Sequence, residues 1–131
     1  MTNSIYINKV IYERLTASPF IAQMCPNKVF PLVAEQTTTF PFIVYWRDNV
    51  VSDNCKDGMH EDEVTFTVVV VSDNYPLSLE LAHEARMCLE AMRIVTQGMV
   101  ITDCKVTGIE ENYSENAYVQ TLSFACIVNN N

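Results

Sequence analysis

The densest chemistry in the sequence is His60-Glu61-Asp62-Glu63, with Cys55 five residues ahead of the histidine. These are the residue types of a hard-metal site or of a general acid–base pair. Ligands must converge on one point, whereas neighbours in an extended segment alternate faces. His60 and Asp62 therefore diverge from Glu61 and Glu63, and a solvated loop or strand entry accounts for the cluster without a metal. His83-Glu84 lies in a helical pattern, where adjacent positions point about 100° apart, and reads as a surface pair. Cys25-Pro26 or Cys88 as a nucleophile needs a base brought close in space; packing as small apolar side chains is the plainer reading. The three glycines, Gly58, Gly98 and Gly108, are too far apart for a phosphate loop, and no GxSxG is present. Tyr45, Trp46 and Tyr118 can form an aromatic surface, although aromatics on alternating strands are more often core. Met87, Met92 and Met99 read as packing. The sequence thus presents no catalytic, cofactor-binding or metal-ligating set.

Composition narrows the field further. The chain has 131 residues, the length of a single domain. Eight Lys and Arg face sixteen Asp and Glu, a formal net charge of −8. A protein that grips nucleic acid by its phosphates needs a basic face, and an anionic membrane surface needs the same; both are excluded as partners to be held. The longest apolar run is Val68-Val69-Val70-Val71, far short of the roughly 20 residues of a membrane helix. The N-terminus shows no basic and apolar signal-peptide pattern. Five widely spaced cysteines without a CxxC fit a reduced compartment with free thiols.

The elements follow from the periodicities. Residues 4–17 predict a helix, with Ser4 as its cap and Ile7, Val10, Ile11 and Leu15 on one face; Ser18-Pro19 ends it. Prolines 19, 26, 31 and 41 exclude a long helix in that stretch. Lys28 to Val33 predicts a short edge strand, where proline is tolerated. Residues 41–52 and 62–71 predict an antiparallel hairpin, the first strand apolar on both faces and so placed inside the sheet or covered on both sides. Its tip is a long acidic loop containing the turn signal Asp57-Gly58. Asp73 or Asn74 caps a second helix with Pro76 in its first turn and a stripe of Leu77, Leu81, Ala85, Cys88, Leu89 and Met92. Residues 99–110 and 117–128 predict two more strands, with Gly108 marking a bulge or close approach. The end, 129–131, is expected to fray. The order gives an α+β, two-layer domain over residues 1–131: a mostly antiparallel sheet with both helices on one face. Strands 62–71 and 99–110 are parallel if they are neighbours; antiparallel order is equally open if they are not.

One feature stands apart from this scaffold. Two polar connections, 49–62 and 110–117, together with the adjoining Glu63, carry Asp53, Asp57, Glu61, Asp62, Glu63, Glu110, Glu111 and Glu115. That is half of all the acids, against one base, Lys56. Both connections are longer than a tight hairpin needs, and long loops in a compact domain are functional or simply solvated.

The order and spacing of the segments also match a known pattern. Lys28-Val29-Phe30-Pro31-Leu32-Val33-Ala34 follows the first helix. A polar spacer leads to Phe40-Pro41-Phe42-Ile43-Val44-Tyr45, then to a Val/Thr strand and a helix after Asp73-Asn74-Tyr75. The chain closes with Val106-Thr107-Gly108-Ile109-Glu110-Glu111-Asn112-Tyr113 and the strand ending Leu122 to Val128. Over nearly its whole length the sequence resembles the small tail-completion (tail-terminator-like) proteins of long-tailed bacteriophages and prophages. The resemblance implies an α+β fold and a structural virion role without catalysis or cofactor: a ring, typically sixfold, that caps the tail tube and joins tail to head. The implied partners are further copies of the chain, a tail-tube protein and a head–tail connector protein, with DNA only as passing cargo and no membrane. The implied place is the virion neck, after assembly in the bacterial host cytoplasm. On this reading Glu61, Asp62, Glu63, Glu110, Glu111 and Glu115 line the ring lumen or its rim, where acidic walls let DNA slide. The alternatives are another neck or head–tail connector component, and a cytoplasmic small-molecule-binding module using Trp46, Tyr45 and His60.

Overall fold

The computed structural model describes residues 3–54, 60–96 and 98–130, without the side chains of Asp53, Asn54 and His60. One six-stranded sheet carries helices against one face, the α+β class expected. The elements are a 3-10 turn (Ser4–Tyr6), α1 (Ile7–Thr16), α2 (Pro19–Met24), β1 (Val29–Pro31), β2 (Phe42–Asn54), β3 (His60–Ser72), α3 (Tyr75–Leu89), β4 (Ile94–Thr96), β5 (Met99–Ser114) and β6 (Ala117–Asn130). The strand order is β1-β2-β3-β6-β5-β4.

Local chemistry sets the helix boundaries. Asn3, not Ser4, opens the first turn, its side chain accepting from the Ile5 amide at 2.9 Å; Ser4 is used elsewhere. Ser18-Pro19 ends α1 and also starts the unforeseen α2, because Ser18 Oγ accepts from the Ile21 amide and Pro19 occupies the first turn. Asn74 caps α3 in the same way, accepting from Leu77 N.

The β3–α3–β5 connection answers the question left open by pattern alone. Both β3 and β5 pair antiparallel with β6, so they run in the same direction but are not neighbours; β6 occupies the gap that α3 crosses. Among the described residues only β1 and β2 pair in parallel. β1 covers Ile43 to Tyr45 alone, so β2 is interior at its start and an edge beyond. β4, missed in the sequence, covers only Met99 to Ile101 of β5.

Alternation puts Ile43, Tyr45, Val64, Phe66, Val68, Val70, Leu122, Phe124, Cys126 and Val128 against Ile7, Ile11, Leu15, Ile21, Leu81, Ala85 and Leu89 in one core. At its centre Phe66 and Phe124, a directly opposed pair, stack with centroids 4.9 Å apart. Burying each such ring contributes roughly 1.5–3 kcal/mol.

The expected acidic loops are mostly strand. β2 and β3 stay paired out to Asn54↔His60, so Glu61, Asp62 and Glu63 are ladder residues. Lys56 and Asp57, with Cys55 and Gly58, lie outside the described residues. The 110–117 connection is a two-residue hairpin turn: Glu115 and Asn116 both have positive φ, 52° and 66°, the geometry of the tight type I′ turn. Pairing through Ser114↔Ala117 makes Glu110 and Glu111 strand residues as well. Asn129 and Asn130, expected to fray, pair with β3 on one side and β5 on the other; Asn131 lies outside the described residues. The bulge expected at Gly108 is present between Val106 and Gly108, and a second lies between Thr102 and Lys105.

Candidate functional site

Register divides the acidic residues into two groups. Glu61, Asp62 and Glu63 sit opposite Asn129, Val128 and Ile127. Glu110 and Glu111 sit opposite Thr121 and Gln120. Nine residues of β6 separate the Asn129 and Gln120 rows, about 30 Å of strand. The two groups therefore stand at opposite ends of the sheet and form no common patch.

The first group is also split across the sheet. Glu63 is exposed and Glu61 half-buried, on the face away from the helices, while Asp62 is 7% exposed and points to the helix side. Its Oδ2 accepts from Ser4 Oγ and, at 2.7 Å, from Asn130 Nδ2. Asn130 Oδ1 in turn accepts from the Ser4 amide at 3.0 Å. Asp62 is thus a clip that ties the start of the chain to the end of β6, its carboxylate turned into the protein. A buried carboxylate is tolerated because donors are aimed at it. The sequence hinted at this: Asp62 extends the inward series Val64, Phe66, Val68 by one step of two.

At the other end Glu110 and Glu115 are exposed and bound to nothing among the described residues. Glu111 is exposed but held. Its Oε2 accepts from Tyr75 Oη at 2.8 Å and Gln120 Nε2 at 2.9 Å. The Gln120 bond and then the Tyr75 bond lower the Glu111 carboxyl, and the bond to Glu111 raises the Tyr75 hydroxyl. Gln120 reaches on to Ser78 Oγ, at 3.3 Å, inside α3. The rings of Tyr75 and Tyr113 flank Tyr118 at 5.2 and 5.0 Å. Sequence pattern alone does not group Tyr75, Ser78 and Gln120; its one signal is a glutamine at an inward position of an otherwise apolar strand.

The other candidates scatter. Tyr45 is buried beside Tyr12, whereas Trp46 faces the opposite side and donates to Asp48 Oδ1 at 2.8 Å. A β2 bulge between Arg47 and Asn49 presents Asp48, which also accepts from Thr67 Oγ1 at 2.6 Å. Tyr118 lies in the hairpin, so the three aromatics form no single surface. His83 is exposed on α3 beside the half-buried Glu84. Burial pushes the Cys25 thiol up to about 11, against a smaller opposing pull from Lys28. Cys88 is also raised, first by burial and then by the Glu84 charge. Neither is an activated thiolate. Among the described residues no three His, Cys, Asp or Glu side chains gather as a metal site, and no helix is long and apolar enough to cross a membrane.

The arrangement is that of a scaffold with two charged ends. The fold is similar to a chain of a solved structure described as the virion of a native gene transfer agent particle: TM-score 0.78, 15% identity, with 91% of each chain covered. No curated protein matches the sequence. The family model described as tail completion protein gp17 matches residues 9–128, and over that span the chain belongs to this phage tail-completion family.

Proposed function

We propose that this chain is a structural component of a phage or prophage virion that forms a ring, a hexamer in the particle, capping the tail tube and joining the tail to the head. Membership of the tail-completion family over residues 9–128 carries this reading. Its role is non-enzymatic: it positions neighbours and needs no cofactor. Its partners are further copies of itself, the tail-tube protein and the head–tail connector protein, met in the host cytoplasm during assembly and retained in the virion. DNA is passing cargo. Glu61, Glu63, Glu110, Glu111 and Glu115 would present negative charge to it at the two ends of the sheet, where repulsion prevents sticking; Asp62 drops out of that set because it is buried. Disrupting the gene in a producing host tests the reading, with particles imaged by electron microscopy. The expected result is full heads apart from tails with unfinished ends, restored by the gene in trans. Normal joined particles without the gene product would overturn it.

A further inference from the structure

The β5 side of the sheet ends in an open strand. β4 covers β5 only at Met99 to Ile101. Next along that edge, the Cys104 carbonyl accepts from the Ala91 amide at 2.8 Å, and the Val106 amide faces the Glu90 carboxylate. Beyond Val106 no further strand pairs with this edge among the described residues, and after the second bulge the pairing with β6 is regular from Gly108 to Ser114. The two-residue turn closes on Ser114↔Ala117 as a hydrogen-bonded pair, and bonded and non-bonded pairs alternate from there. Glu110 and Asn112 therefore bond β6, whereas Ile109, Glu111 and Tyr113 turn their N–H and C=O groups to the free edge. Tyr113 bears this out, since its amide donates to the neighbouring Asn112 Oδ1 at 2.8 Å. An uncovered edge of this kind is a template for one more strand.

Side chains and charge define what would fit. Ile109, Glu111 and Tyr113 share the helix side, where Ile109 is 46% and Tyr113 58% exposed, and Glu110 and Asn112 share the other. Residues 106–121 contain three acids and no base, and the exposed Asp73 stands at the same end, ahead of α3. The bases of these elements are elsewhere or engaged: Lys105 lies behind the second bulge, and Arg86 is paired with Glu90. A second copy offering the same edge would set Glu110, Glu111 and Glu115 against their own kind. The open edge of β2 is broken by the bulge that presents Asp48.

We propose that the β5 edge from Ile109 to Tyr113 binds an extended segment of a neighbouring protein as an added antiparallel strand, with apolar side chains over Ile109 and Tyr113 and a lysine or arginine against Glu110. Main-chain hydrogen bonds supply the attachment, and the alternation of apolar and basic side chains supplies the choice of partner. Glu115, in the turn beyond the paired stretch, stays uncovered. Such a contact is complete on one copy of the chain and does not depend on a ring.

A blocked nonapeptide alternating valine and lysine is the probe, added to the full-length chain and followed by amide hydrogen exchange in NMR spectra. At submillimolar peptide the Ile109 and Glu111 amides should exchange roughly tenfold or more slowly, because both acquire acceptors. Valines that face Ile109, Glu111 and Tyr113 turn their own amides toward β5, and the lysine amides point away. N-methylation of the valines should therefore abolish binding, and N-methylation of the lysines should leave it. Glu110→Lys should weaken binding about fivefold or more. Glu80→Lys, an exposed acid on α3 away from the edge, makes the same change in net charge and should alter binding less than about twofold. A peptide with glutamate in place of lysine should not bind. Unchanged exchange at Ile109 and Glu111, binding that survives valine methylation, or equal affinity for the two charge variants would each overturn the proposal. So would slowing that grows with protein concentration in the absence of peptide, the sign of a second copy on the edge.

Discussion

Replacing Asp62 with alanine should act on the fold and not on a surface. In the native chain its carboxylate takes the Ser4 hydroxyl and the Asn130 amide. Alanine leaves both donors without that acceptor in a setting largely closed to water. An unsatisfied buried donor costs about 1–3 kcal/mol, so the two together should lower stability by about 3 kcal/mol. Domains of this size have about 5–15 kcal/mol in total, and the loss should lower Tm by about 10 °C. Asp62→Asn keeps one acceptor oxygen without the charge and should lose about half as much. Urea unfolding followed by the fluorescence of Trp46, the one tryptophan, measures both. A double-mutant cycle identifies the cause: Ser4→Ala should cost about 1 kcal/mol less in the Asp62→Ala background than in the wild type, because its partner is already gone. An Asp62→Ala change of less than about 0.5 kcal/mol, or strict additivity in the cycle, would refute the clip.

Further outcomes are as definite. Phe124→Ala removes half of the central stack and should cost about 3–5 kcal/mol, read by the same denaturation. Cys104 and Cys126 are both buried on adjoining strands, and a hydrogen bond to Cys104 and then burial raise the Cys126 thiol. Diamide, a dithiol oxidant, should slowly take two hydrogens from this pair and link it, seen as a 104–126 cross-linked peptide by mass spectrometry about 2 Da lighter than the two thiol peptides together. For Glu111 the folded pKa is depressed by Gln120 and Tyr75. Its stabilising effect is therefore present above the unfolded carboxylate pKa and is lost as pH falls through the lower folded value. Tyr75→Phe should move the Glu111 titration, followed by NMR, back toward the ordinary range.

Much of the fold could be read from periodicity because burial imposes it. The run Val64-Phe66-Val68-Val70 must face a core, and Asn74-Tyr75-Pro76 must start a helix. The differences share one cause: polar residues at the ends of these strands read as connections but pair in the ladder. Glu61 and Glu111 extend the strands expected over 62–71 and 99–110 because ladder hydrogen bonds use the backbone, and an exposed face accepts any side chain. Glu115-Asn116 makes a tight turn without glycine because asparagine tolerates positive φ. The clip was invisible for a different reason: Ser4, Asp62 and Asn130 are far apart in sequence, and only the β3–β6 register brings the last two together. The same limit hid the Gln120–Glu111–Tyr75 network, which needs α3 to begin over the hairpin.

The separation of the acids changes what a ring of this chain would offer to DNA. As a single loop cluster they would have made one negative band. Standing about 30 Å apart along β6, they would instead mark the two mouths of any channel whose wall follows the strands. Between them the face away from the helices carries Thr65, Thr67, Val69, Val71, Thr121, Ser123 and Ala125, short uncharged side chains, with the exposed Lys105 opposite Ala125. Asp48, the acid presented on that face by the β2 bulge, is engaged by Trp46 and Thr67. Lys105 would give phosphates a contact part-way along such a wall, while carboxylates at each mouth would repel them from the rims. With eight bases in 131 residues, the chain would line such a passage with far less positive charge than a surface that grips DNA needs.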